Sequence, residues 1–138
     1  MKLLIDTNII LDFLLEREPF YNNSKEILNL CALKKFQGFI TASSVTDIFY
    51  IVHKALKNID ETYKILAAIL NILEILSVTG NDVQKAFIRK AKDFEDCLMA
   101  ECSKSNKCDG IVTRNYKDFQ DFNIKIYTPE NIIEKFKS

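Results

Sequence analysis

The 138-residue chain is 48% hydrophobic and 28% charged with only three Gly and two Pro, which excludes a disordered or low-complexity chain. A single globular domain spanning residues 1–138 is expected, since a chain of this size buries roughly 68% of its unfolded surface. The 19 basic and 19 acidic side chains cancel, which excludes a general nucleic-acid-coating role and makes any nucleic-acid contact local.

In chain order, residues 3–5 form the first short apolar run and predict a strand. Residues 9–15 and 24–35 read as helices separated by Pro19, and residues 38–41 as the second strand. Ser43 or Ser44 can cap a helix over 45–57, and Asp60 one over 61–71. A third strand is predicted at 75–78, followed by helices at 82–92, capped by Asn81, and at 94–105. The fourth strand is placed at 110–113 and the fifth at 124–127, with a short turn between them; Thr128 and Pro129 then start a last helix to residue 136. The strands lack polar alternation, as expected when both faces are covered, so the order predicts a doubly wound α/β domain with a parallel sheet.

The opening apolar stretch is interrupted by Asp6 and Asp12 and no small-residue cleavage site follows, so no export signal is read. The stretch 65–78 is broken by Asn71 and Glu74 and falls short of the ~20 residues that cross a bilayer. The expectation is a soluble cytoplasmic protein that does not engage a membrane. Cys31, Cys97, Cys102 and Cys108 have no CxxC spacing and His53 is the only histidine, which argues against zinc and for reduced, mostly buried thiols.

Ligands of open α/β sheets bind beyond the carboxyl ends of the strands. Asp6 directly follows the first strand, and Thr113, Arg114, Asn115 and Asp118 follow the fourth, so two strand ends carry polar groups to one edge. Asp47 and Asp96 sit among apolar helical neighbours, and Asp93 lies three residues before Asp96, on the same helical face. Carboxylates brought together without a cation raise one another's pKa, and an all-oxygen set without His or Cys suits Mg²⁺ or Mn²⁺.

Four motifs now define a resemblance: DTNIILD at 6–12, SSVTDI at 43–48, DFEDCLMAE at 93–101 and IVTRNYKDF at 111–119. In order and spacing they resemble those of PIN-domain ribonucleases, and among them the VapC-type toxins of type II toxin–antitoxin systems. The resemblance implies a PIN-like three-layer α/β/α sandwich with a parallel sheet of four or five strands. It implies a Mg²⁺- or Mn²⁺-dependent endoribonuclease that hydrolyses single-stranded or loop RNA without a covalent intermediate and leaves a 5′-phosphate on the downstream product. It also implies a homodimer and a small antitoxin partner that covers the acidic pocket.

By position, the resemblance makes Asp6, Asp47 and Asp96 metal ligands and Asn115 the fourth site residue. Asp47 stands where most members have Glu, and Asn115 where many have Asp, which removes one negative charge that Asp118 could restore unless it supports the fold through a turn, while Asp93 is a further acid beside Asp96. Thr113 would orient water or a ligand, Asn8 would fix the Asp6 carboxylate, and Arg114 would meet a substrate phosphate. Asp12 reads as an exposed helical acid, and His53 as a surface or satisfied core histidine, because it lies about 120° around the helix from Asp47. Lys85, Arg89, Lys90 and Lys92 form one basic group, and Lys104, Lys107, Arg114 and Lys117 another that borders the acids.

Other readings fit less well. A phosphatase of the haloacid dehalogenase type needs an acid at the position of Asn8, and a response-regulator receiver needs a phosphoacceptor aspartate where residues 77–80 offer none. A PIN-like module weakened in catalysis through Asn115 and Asp47, binding RNA or protein, remains the alternative.

Overall fold

The computed structural model describes residues 1–137. Its strands are β1 (Lys2–Ile5), β2 (Gln37–Thr41), β3 (Glu74–Leu76), β4 (Gly110–Val112) and β5 (Ile126–Tyr127). They form one sheet in the order β3-β2-β1-β4-β5, with every neighbouring pair parallel. The helices are α1 (Thr7–Leu14), α2 (Tyr21–Ala32), α3 (Ala42–Leu56), α4 (Ile59–Ile72), α5 (Gly80–Arg89), α6 (Phe94–Ser105), α7 (Tyr116–Phe119) and α8 (Pro129–Lys135), with a 3₁₀ turn at Gln120–Phe122.

Alternation along the strands creates two cores. Leu3, Ile5, Ile40 and Val112 face one layer, packed with Ile9, Ile10, Ile27, Ile48, Leu66, Ile69 and Ile132 of α1, α2, α3, α4 and α8. Leu4, Phe39 and Ile111 face the other, packed with Ala86, Cys97, Met99 and Phe119 of α5, α6 and α7. The fold is therefore a three-layer α/β/α sandwich whose central strand, β1, is buried on both faces from Leu3 to Ile5. Gly110 is required by close packing: a Cβ there would stand 2.8 Å from the Lys125 backbone oxygen of the β5 approach.

Strand order and the seven longer helices follow the sequence-based expectation, and α6 ends where expected, but the short turn expected between β4 and β5 is the one-turn helix α7 followed by the 3₁₀ turn. The helix starts differ. Thr41, still extended as the last residue of β2, caps α3 by accepting from the Ser44 backbone amide, in place of Ser43 or Ser44. Asn58 rather than Asp60 caps α4, and Thr79 rather than Asn81 caps α5 through a reciprocal capping box with Asp82. The capping side chain belongs to the last extended residue, three or four positions before the apolar periodicity becomes visible. Thr128 caps α8 as expected, with Pro129 in its first turn. Cys31, Cys97 and Cys102 are buried free thiols, and Cys108 is a half-buried one. Among the described residues no helix is long and apolar enough to cross a membrane.

Candidate active site

The order of the strands reverses between β1 and β4, and at such a switch point the connections leave in opposite directions and open a crevice beyond the carboxyl ends. Asp6 lies there, with its backbone amide donating to the Val112 oxygen of β4 at 3.0 Å. It is extended (φ −60°, ψ 140°), caps the start of α1 by position, and is 4% exposed. Thr113, fully buried one residue beyond β4, donates its hydroxyl to Asp6 Oδ2 at 2.8 Å and accepts from the Asn115 backbone amide at 3.0 Å. Thr113 thus orients a carboxylate and the following loop at once.

A second tie joins β2 to α1. Thr7 Oγ1 donates to Ser44 Oγ at 2.9 Å, and Ser44 Oγ lies 2.7 Å from Thr41 Oγ1. These buried hydroxyls fix the start of α3, which carries Asp47, against the start of α1, which follows Asp6.

The crevice is a pocket of about 410 Å³. Asp6, Asn8, Asp47, Asp93, Asp96, Asn115 and Asp118 all border it, so the structure brings together the expected acids from four separate motifs. Glu95 lines it too, and sequence reasoning missed this residue: in the first turn of α6 it reads as an ordinary acid answering the helix dipole. Tyr50 and Ile51 of α3 form its exposed apolar rim.

Among the described residues no Lys, Arg or His lines this pocket. Burial pushes the Asp6 carboxyl above its ordinary range, opposed by the Thr113 hydroxyl, the Asn8 backbone amide and the charge of Arg114. Asp96 is pushed up to about 7 by burial and then by the negative charges of Asp93, Asp6 and Asp118. Burial, followed by the neighbouring Asp47 carboxylate, raises Glu95 as well. Uncompensated hard oxygen donors at one point fit a divalent cation. Among the described residues no three His, Cys, Asp or Glu side chains already stand as a closed ligand set, so an ion would be gathered by side-chain rotation.

Two expected roles change. Asp12 is fully buried rather than exposed, and pairs with Arg114, whose Nε is 2.7 Å from Oδ2 and Nη2 3.3 Å from Oδ1. Arg114 is thereby turned away from the acidic pocket, with its guanidinium 4.0 Å from the centre of the Phe20 ring, and is not free for a substrate phosphate. Its positive charge reaches Asp6 only through space. His53, expected as a surface or satisfied core histidine, is half-buried beside Phe49 and lies outside the acidic pocket, and among the described residues its Nδ1 has no hydrogen-bond partner.

The charge arrangement predicts how stability depends on pH. In the folded protein Asp96 keeps its proton to about 7, whereas a free aspartate loses it near 3.8. The folded state binds the extra proton between those values, so stability falls as pH rises through that window. The expected result is a higher melting temperature at about pH 5.5 than at about pH 8 without metal, and a gain on adding Mg²⁺ or Mn²⁺ that is larger at the higher pH. Thermal melts in both buffers, with and without chelator, check it; an unchanged melting temperature on adding either ion at the higher pH counts against an ion-binding pocket.

Comparisons with known proteins bear on the fold and the family. The sequence profile of the PIN domain matches residues 2–117. Among solved structures, the chain is similar to the DNA-bound VapBC of Salmonella typhimurium, with a TM-score of 0.69 at 19% identity over 94% of this chain and 98% of that one. It is similar to VapBC2 of Rickettsia felis bound to a promoter DNA fragment, with a TM-score of 0.66 at 21% identity over 93% and 98%. It is also similar to Mycobacterium tuberculosis VapC20, described as a sarcin–ricin loop cleaving toxin, with a TM-score of 0.62 at 12% identity over 87% and 92%. Comparison with curated proteins gives no significant match. With the profile covering most of its length and the acids of four motifs gathered at the switch point of the sheet, the chain belongs to the PIN domain family.

Proposed function

We propose that this PIN domain is a divalent-metal-dependent endoribonuclease, acting as the toxin of a VapBC-type toxin–antitoxin pair. The observation that carries the reading is the pocket at the carboxyl ends of β1 and β4, bordered by six carboxylates and no cation. Asp6, Asp96 and Asp47 would hold Mg²⁺ or Mn²⁺, with Asp93, Glu95 and Asp118 available as further oxygen donors and Asn115 as a neutral one. A bound ion supplies the charge that activates water and offsets the negative charge developing on a phosphodiester. Thr113 holds the Asp6 carboxylate in place through its hydroxyl, and the Thr7–Ser44–Thr41 hydroxyls set the distance of Asp47's helix from Asp6. Burial of Asp6 keeps it poorly hydrated until a cation arrives.

The similar solved structures include toxin–antitoxin complexes, which supports a small antitoxin as partner. A homodimer and a cytoplasmic setting complete the proposal. The catalytically weakened reading rests on two observations: Asn115 contributes an amide where a carboxylate would add charge, and no closed set of three acidic ligands is preformed among the described residues.

One assay separates the two readings. Purified protein incubated with labelled single-stranded and stem-loop RNA in Mg²⁺ or Mn²⁺ is expected to give discrete products carrying 5′-phosphates, and EDTA to abolish them. RNA binding without chelator-sensitive cleavage on any of these substrates would establish the binding module instead.

A further inference from the structure

Next to the acidic pocket lies a second hollow of about 460 Å³, and the two share Asp93 and Asp118 as a common wall. Its charge character differs, because Arg89, Lys92 and Lys117 line it whereas the acidic pocket has no basic side chain. Arg89 is held in place: its Nε donates to Glu101 Oε1 at 2.8 Å and its Nη1 to the Asp121 backbone oxygen at 3.5 Å. Lys92, just after α5, and Lys117, in α7, are exposed and make no ion pair among the described residues. They come from distant stretches of the chain, one before α6 and one after β4, so the fold rather than a local run of sequence brings them together.

We infer that this hollow is a backbone-phosphate subsite for single-stranded RNA, in which Lys92 and Lys117 take the phosphate next to the one presented to the acidic pocket. The inference rests on the nuclease reading for the direction of the strand, but not for the binding itself. A strand crossing the wall of Asp93 and Asp118 would place one phosphate where a cation is needed and the next where two unpaired ammonium groups wait. Asp93, Asp118 and Asp121 offset the three cations of the hollow formally, so its attraction is confined to the lysine tips and does not spread as a field over the surface. That locality lets a salt titration resolve it. Each phosphate neutralised on a single strand contributes about 0.7 to the slope of log binding constant against log salt concentration.

The test uses the full chain carrying Asp96→Asn, so that RNA is not consumed, and measures binding of a labelled single-stranded RNA across a salt series. Lys92→Ala with Lys117→Ala is expected to weaken binding at low salt and make the slope shallower by about 0.7 for each phosphate that is no longer neutralised. Lys92→Arg with Lys117→Arg should retain the slope, because a phosphate accepts either cation. Lys25→Ala with Lys85→Ala removes the same charge from exposed positions outside the hollow and should leave the slope unchanged. Circular dichroism verifies that each variant is folded. An unaltered slope in the Lys92/Lys117 alanine pair, or an equal change in the Lys25/Lys85 control, overturns the subsite, even where the unsubstituted protein cleaves RNA. The expected slope change in a protein that never cleaves RNA upholds the subsite and removes the nuclease assignment. Failure of every variant to bind RNA overturns both.

Discussion

Replacing Asp96 with Asn is expected to abolish metal-dependent RNA cleavage while making the metal-free protein more stable. Burial, and then the like charges of Asp93, Asp6 and Asp118, lift the Asp96 carboxyl to about 7, so at neutral pH its ionised form works against folding. Asn keeps the shape and removes the charge, and relief of that repulsion should raise the melting temperature above pH 7. If the acids gather an ion that offsets charge in the transition state, losing one of them forfeits several kcal/mol there, a drop in rate on the order of 1000-fold. Asp6→Asn should show the same loss of cleavage, because an amide oxygen still accepts from the Thr113 hydroxyl but brings no charge. An acid kept for structural reasons behaves in the opposite way, losing stability when neutralised and leaving cleavage intact. Melting temperatures and RNA cleavage rates measured on the same protein samples discriminate these outcomes; an Asp96→Asn protein that cleaves like the unsubstituted chain would refute the ligand assignment.

The largest loss of stability is expected at Arg114 rather than in the apolar core. Asp12 has no solvent exposure, and the Arg114 guanidinium contacts both of its oxygens. Arg17 is the other cation in reach, 3.6 Å from Oδ1 and itself partly exposed. Arg114→Ala leaves a buried carboxylate without its main partner and should cost about 3–5 kcal/mol, plus the packing of the guanidinium on the Phe20 ring. Removing both charges together, as Asp12→Leu with Arg114→Met, should be less damaging than Arg114→Ala alone, because neither side is left as an uncompensated ion. Denaturant unfolding of the two variants decides it; a loss below about 1 kcal/mol for Arg114→Ala would show the pair to be an ordinary surface ion pair.

These two positions also mark where the sequence can be read and where it cannot. Asp6, Asp47, Asp96 and Asp118 are legible because each follows a strand or interrupts an apolar helical stretch, and such a break has no packing explanation. The five strands are legible from short aliphatic runs, although β3 and β5 at the sheet edges are shorter than expected and only partly covered. Asp12 misleads because its partner lies 102 residues away, a proximity that periodicity cannot express. The place of Arg114 after β4 suggests substrate, and the competing demand of a buried carboxylate determines where it goes instead. Glu95 stays hidden for the converse reason: acids in a first helical turn are common, and only the tertiary arrangement shows that this one faces Asp47.

The hydroxyl chain from Thr7 through Ser44 to Thr41 fastens the start of α3, which carries Asp47, to the start of α1, which follows Asp6. Asp93, Glu95 and Asp96 stand together at the start of α6, on the opposite layer of the sandwich. The crevice is thus lined from both layers, and α6 carries acids at its open end and the buried thiols Cys97 and Cys102 of the second core along its length.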